Sequence, residues 1–284
     1  MSATVQPLAA RRDPAVAPGA LTLERVSMRF GDRTVVEDCS FALEPGRVTA
    51  MIGPSGCGKS TIGFLIAGYH RPGQGEIRLA GKLVRGPSHE RFLVFQETSL
   101  MPWMTTLENV MFGPRARGMK RRDARAAAEV VLARVGLAEF HDSYPGQLSG
   151  GMQRRAEFGR ALVNEPRAIV LDEPFRGLDA MTRGLMQQYY AELNEGSSAA
   201  TLFITTDIDE ALLVADRLLV MSSLPARIRE VVEIDLPRPR RREATLVDPR
   251  AAEIKRRALE LLRAEAIGGR DVSDSNNTKN GDGK

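Results

Sequence analysis

Cysteine is scarce in this 284-residue chain: only Cys39 and Cys57 occur. Two are too few for a disulfide framework, and the second sits inside a glycine-rich loop, so a reducing, cytoplasmic compartment is the simpler reading. Long hydrophobic runs are missing as well. No window approaches the roughly 20 apolar residues that span a bilayer, so any membrane association must come through a partner or a surface. The N-terminus carries Arg11 and Arg12, but Asp13, Pro14 and Pro18 interrupt the stretch where a secretory signal would be apolar, and no export is expected. Histidine is limited to His70, His89 and His141. The net charge of +4 is modest and gathers partly in Arg238, Arg240, Arg241 and Arg242. That run reads first as a solvated linker, then as a contact for anionic lipid, and least as a nucleic-acid site. The sequence has no internal repeat.

The apolar fraction of 43% is ordinary for a chain that buries a full core. Residues 1–19, rich in Ala, Pro and Arg, lack periodicity and read as a flexible leader. Apolar residues from Leu21 to Phe30 and from Val35 to Leu43 predict two strands joined across the Gly31-Asp32 turn. Val48–Ile52, a glycine-rich loop and the apolar segment Ile62–Ala67 follow in the order strand, loop, helix. Glu76–Val84 reads as a hairpin turning at Ala80-Gly81, and Phe92–Phe95 as a further strand. From about Glu97 to Pro166 the pattern becomes mostly helical, with helices over Arg122–Val135 and after Gly151. Strand signals return at Ala168–Leu171, Thr201–Thr205 and Leu218–Met221, separated by helices, which is the alternation of a mainly parallel α/β sheet. The domain is expected to run from residue 20 to 236. Residues 237–267 then form the basic linker and an amphipathic helix, Ala251–Ala264, with Leu259, Leu261 and Leu262 on its apolar side. Residues 268–284 are expected as a disordered tail.

Gly53-Pro54-Ser55-Gly56-Cys57-Gly58-Lys59-Ser60, followed by Thr61, matches the P-loop pattern. Its glycines let backbone N–H groups curl around phosphate oxygens, and the following helix N-terminus favours negative charge. Lys59 is placed to reach the β and γ phosphates, and Ser60 to offer a hydroxyl to Mg²⁺. The competing reading is an ordinary glycine-rich turn after a buried strand.

Asp172 and Glu173 stand at the exit of the apolar strand Ala168–Leu171, where a parallel sheet presents its binding crevice. Alone, such a pair before Pro174 is equally well structural. With the P-loop upstream, Asp172 is the expected Mg²⁺ partner and Glu173 the group that orients the attacking water, converting ATP to ADP and phosphate.

Between these motifs lies Leu148-Ser149-Gly150-Gly151-Met152-Gln153, which resembles the signature sequence of ABC proteins. Read from the residues alone, Ser149 and the two glycines at a helix start are either an anion site or a plain helix cap. The resemblance, which spans about Leu21 to Leu236, implies an ABC cassette: a mainly parallel core sheet, an N-terminal antiparallel β subdomain and a helical subdomain at about 97–166. It also implies that Ser149, Gly150, Gly151 and Gln153 face the nucleotide of a second copy in a head-to-tail dimer, with Asp179 at the dimer contact. Gln96 corresponds to the glutamine that touches Mg²⁺ and the water region. Phe30 lies where the family sets an aromatic ring against adenine, with simple core packing as its other reading. The wording of Leu100–Thr105 and Leu178–Arg183 resembles the nitrate, sulfonate and taurine importers. Expected partners are therefore integral-membrane permease subunits at the cytoplasmic face of the membrane and, indirectly, a substrate-binding protein, with no nucleic acid.

Two positions depart from that pattern. Where ABC proteins usually carry a Thr-His-Asp switch, this chain has Thr205-Thr206-Asp207, and all three histidines precede the carboxylate pair. Thr206 can donate one hydrogen bond but carries no charge, so slower intrinsic hydrolysis is expected. Arg176 replaces a small residue close to Asp179, either as a partner for an acidic group or phosphate or as a bland loop residue. The competing functions are a soluble ABC ATPase acting on nucleic acid or ribosomes and a nucleotide-binding regulator with little turnover. Absence of a long coiled-coil insertion argues against the first, and an intact Glu173 against the second.

Overall fold

A computed structural model describes residues 17–277 except Pro239, with side chains as far as Glu265; most of the expected leader, residues 1–16, and the tail from 278 lie outside the described residues. Strands β1 (Leu21–Phe30) and β2 (Arg33–Leu43) pair antiparallel across Gly31-Asp32. After them come β3 (Val48–Ile52), α1 (Lys59–Ala67), β4 (Gln74–Leu79) and β5 (Lys82–Leu83). The β4–β5 turn uses Ala80 and Gly81 at positive φ, 49° and 76°, a pair of left-handed residues that suits a two-residue hairpin. Strands β1, β2, β4 and β5 make a four-stranded antiparallel sheet in the order β2-β1-β4-β5.

The second sheet is built from β3, β6 (Arg91–Val94), β7 (Ala168–Asp172), β8 (Ala200–Ile204), β9 (Arg217–Met221) and β10 (Ile228–Glu233), in the order β10-β9-β3-β8-β7-β6. All neighbours are parallel except β10. Its central strands are buried on both faces, which is why they read as continuous apolar runs. Ala50 and Ile52 join one apolar cluster while Met51 joins the other, and Ile169 and Leu171 oppose Ala168 and Val170 in the same way. Between β6 and β7 the chain forms α2 (Thr106–Ala116), α3 (Arg121–Arg134) and α4 (Gly150–Leu162); α5 (Ala180–Asn194) and α6 (Ile208–Val214) precede β8 and β9. Thr105 and Glu108 form a full capping box at the start of α2. No helix among the described residues is long and apolar enough to cross a membrane.

After β10 come α7 (Arg242–Val247) and α8 (Pro249–Asn277), and this C-terminal segment departs from expectation in three ways. Strand β10 was hidden from the sequence because its inward position Glu230 is charged; Arg257 of α8 pairs with it at 2.6 Å. Arg240 is no part of a solvated linker: it is 5% exposed and donates to the carbonyls of Leu212, Ala215, Ile234 and Leu236. Burial pulls its pKa down to about 10. Helix α8 buries Ala251, Ile254 and Ala258, while Leu259, Leu261 and Leu262 are only partly covered. It continues to Asn277, past the start of the expected tail, because each residue added to an existing helix gains a hydrogen bond without a new nucleation cost.

Candidate functional site

The parallel strands bring their C-terminal ends to one edge, and most of the singled-out residues gather there. Gly53 follows β3; a Cβ there would stand 2.8 Å from that of Met221, so only glycine fits. Pro54, Ser55, Gly56 and Cys57 complete the loop, and Gly58 enters α1 at φ 113° with Val35 O 3.0 Å from where a Cβ would stand. The first N–H groups of α1, from Lys59, Ser60 and Thr61, therefore face the loop opening. Lys59 is 5% exposed, and its Nζ donates to the carbonyls of Gly53 (2.8 Å) and Pro54 (2.9 Å). Reaching a phosphate requires the ammonium to exchange these partners. Burial also raises the pKa of Cys57, so its thiol acts as packing within the loop.

Asp172 ends β7 beside Ser60. It is buried, and its Oδ1 has no hydrogen-bond partner. Burial raises its pKa, against the opposing pull of the Ser60 hydroxyl and the Lys59 charge. A buried carboxylate oxygen left unpaired next to a hydroxyl is a fitting pair of ligands for Mg²⁺, which takes one or two protein oxygens and completes its shell with water and phosphate. Among the described residues no group of three or more His, Cys, Asp or Glu side chains could hold a metal, so an all-protein cage is not offered.

Glu173 has φ 43°, an uncommon conformation for a residue with a Cβ that costs about 1–3 kcal/mol. Its N–H donates to Ile204 O at 2.9 Å, and Phe175, 1% exposed, anchors the loop two residues on. Phe175 packs edge-on or tilted against Phe158, Tyr190 and Phe203 at centroid distances of 5.9–6.3 Å. Glu173, Thr206 and Ser55 line one cavity of about 220 Å³ together with Arg176 and Arg183. Thr206 is exposed, whereas Thr205 is buried and donates to Glu210.

A second cavity is lined by Gln96, Gly150, Arg154, Arg176 and Gly177. Gln96 follows β6, and its position is set by two buried charges on α4 that sequence reasoning missed. Arg154 donates to Phe95 O (2.9 Å), Gln96 O (2.7 Å) and Glu157 (2.6 Å); Glu157 accepts from Ser99 N at 2.7 Å. A signal was present: both charges share the buried side of α4 with Gly151, Ala156 and Phe158.

Ser149 caps α4 through Met152 N, 3.3 Å, and Gln153 Nε2 donates to the carbonyls of Pro145 and Leu148. Gly150 and Gly151 let this turn approach Leu178 and Thr182, whose carbons would stand 3.2 and 3.0 Å from added Cβ atoms. Asp179 caps α5, accepting from Met181 and Thr182, and those bonds, the Thr182 hydroxyl foremost, lower its pKa. Within one chain the Ser149–Gly151 turn thus meets the Asp179 loop. Phe30 is 46% exposed with its ring edge-on to His70 at 5.5 Å, so it is no core residue.

Residues 36–176 match the ABC transporter family. The chain is 39% identical to the bicarbonate transport ATP-binding protein of Synechocystis sp. over 85% of its own length and 88% of that protein. It is 41% identical to the taurine import ATP-binding protein of Pseudomonas aeruginosa, over 77% of this chain and 84% of that one. An uncharacterized ABC transporter ATP-binding protein of Methanocaldococcus jannaschii is also 41% identical, over 76% and 80%. The chain belongs to the ABC transporter family, as one of its ATP-binding subunits whose ATP hydrolysis is coupled to transport.

Proposed function

We propose that this subunit powers an importer for a small anion, working as a head-to-tail pair of copies at the cytoplasmic face of the membrane and docked on permease subunits served by a substrate-binding protein. The observation that supports the pairing is that the Gly150–Gly151 turn packs against Leu178 and Thr182 and opens on a cavity with Gln96, whereas Ser55, Glu173 and Thr206 line another, with Arg176 at the border of both. A second copy, turned about, brings its Ser149–Gly151 turn to the first copy's nucleotide. The anion reading rests on the bicarbonate protein named above and on the anionic sulfonate group of the other relative's taurine.

In this reading the N–H groups of Gly56–Thr61 and Lys59 hold the β and γ phosphates, and Phe30 offers its exposed ring to adenine. Ser60 and Asp172 would hold Mg²⁺, with Gln96 nearby, and an ion bound there would supply positive charge against that developing on the phosphates. Glu173 orients a water whose oxygen attacks the γ phosphorus while the bond to the ADP oxygen breaks and the water's proton passes to solvent through the carboxylate. Closure on ATP and reopening after hydrolysis bias the permease between states.

Two measurements test this. Glu173→Gln protein with Mg²⁺ and ATP is expected to elute as a dimer and to return to monomer with ADP; a monomer under both conditions contradicts the pairing. ATPase activity of the complete transporter in vesicles is expected to rise with a small anionic ligand of its binding protein, and a rise only with cations or sugars contradicts the substrate class.

A further inference from the structure

The switch position of this chain lacks a cation, and an exposed one, Arg176, lines the same cavity. Thr206 offers a single neutral donor. Arg176 Nη1 stands 3.0 Å from Glu173 Oε2, and the side chain is 61% exposed while its backbone is fixed by an N–H bond to Glu173 O (3.1 Å) and by buried Phe175 next to it. It lines the cavity of Ser55, Glu173 and Thr206 and also the one holding Gln96 and Gly150. We infer that Arg176 is a catalytic residue that supplies, from the loop after Glu173, the positive charge to the γ-phosphoryl group that Thr206 does not.

The geometry favours this role in three respects. A guanidinium hydrogen-bonded to the carboxylate that orients the attacking water lies two hydrogen bonds from that water, and its exposed side chain is free to turn toward the phosphoryl group beyond it. Guanidinium has five donors in a planar fork; one can keep Glu173 while others reach phosphoryl oxygens, which a lysine could not match in geometry. The other arginine of that cavity, Arg183, donates through Nη2 to Leu178 O at 3.1 Å and acts by its charge on Glu210, whereas Arg176 pairs with Glu173 itself. The bond-making step is unchanged. Water oxygen joins phosphorus, ADP leaves, and Arg176 holds charge that grows on the equatorial and leaving oxygens.

The inference rests on Glu173 being the water-orienting carboxylate, so Glu173→Gln is run beside every variant. Steady-state kinetics with Mg²⁺ and ATP are measured for the parent, Arg176→Gln, Thr206→His and the double variant. Arg176→Gln is expected to lower kcat on the order of 10- to 100-fold, as loss of one transition-state donor does, with KM changed by less than about twofold. Thr206→His is expected to restore most of the loss in the double variant and to add little to the parent, because Arg176 offsets the slower hydrolysis expected from Thr206 alone. Affinity for ADP with vanadate, a transition-state mimic, should fall with kcat in Arg176→Gln, while ATP affinity in the Glu173→Gln background stays level. Adding Thr206→His to Arg183→Gln should give no such rescue, and the exposed site predicts an unchanged thermal midpoint for Arg176→Gln. An unchanged kcat overturns the proposal. So does a faster one, which would make the Arg176–Glu173 pair a brake, and so does a slow double variant that still binds ATP and vanadate like the parent. Turnover that survives Glu173→Gln overturns the reading of Glu173 and this inference together; turnover lost there but unaffected at Arg176 overturns only the latter.

Discussion

Truncating Arg154 to alanine removes a guanidinium that is buried and donates to the Phe95 and Gln96 carbonyls and to Glu157. Breaking a buried ion pair by deleting one partner costs about 3–5 kcal/mol, since the survivor is left charged and dry. Here Glu157 keeps two bonds from Ser99, at 2.7 and 3.1 Å, and the charge of Arg160 lies close by. The expected loss is therefore at the low end, about 3 kcal/mol, against a total stability of about 5–15 kcal/mol. The two carbonyls left behind also free the Gln96 loop, so kcat should fall with the stability. Urea denaturation of the parent, Arg154→Ala, Arg154→Met, Glu157→Leu and the Arg154→Met/Glu157→Leu double variant measures the loss and, from the last three, its coupling. The double variant should cost less than the two single losses added together. A single-variant loss below about 1 kcal/mol, or strict additivity, would refute the idea that this pair braces the Gln96 loop.

Asp172→Asn is expected to raise the thermal midpoint of the free protein by about 2–4 °C, because a neutral amide is cheaper to bury than an unpaired carboxylate. The same variant should lose the further rise that Mg²⁺ with ATP gives the parent, and a variant that keeps this rise would remove Asp172 from the metal site. Glu210 supplies a pH dependence. Burial raises its folded-state pKa above the ordinary 4.5, so its contribution to stability is complete below that value and is lost as pH rises through the folded pKa. The difference in stability between the parent and Glu210→Gln should therefore move in the variant's favour as pH rises from about 4.5, by urea midpoints; a difference independent of pH contradicts this.

The phosphate loop, the carboxylate pair and the Ser149 turn were legible because each is a local string with a local conformational demand, such as Gly58 at φ 113°. The central strands were legible because a sheet covered on both faces needs unbroken apolar runs. What stayed hidden is long-range and polar. Arg154 reaches Gln96 across 58 residues, Glu230 masks β10 until Arg257 is seen to pair with it, and Arg240 satisfies carbonyls of α6 and of the chain after β10 from inside a run that reads as solvated. The strained φ of Glu173 has no sequence signal either, since glutamate is not a residue that favours it. Phe30 had two readings, and only its exposure separates them.

The most direct test of the account is steady-state ATP hydrolysis by the purified chain with Mg²⁺, measured over a range of protein concentrations beside Glu173→Gln. Turnover should rise more than linearly with concentration, because two copies complete each site, and should vanish in the variant while ATP binding persists. Turnover strictly proportional to concentration, or undiminished in Glu173→Gln, would contradict it.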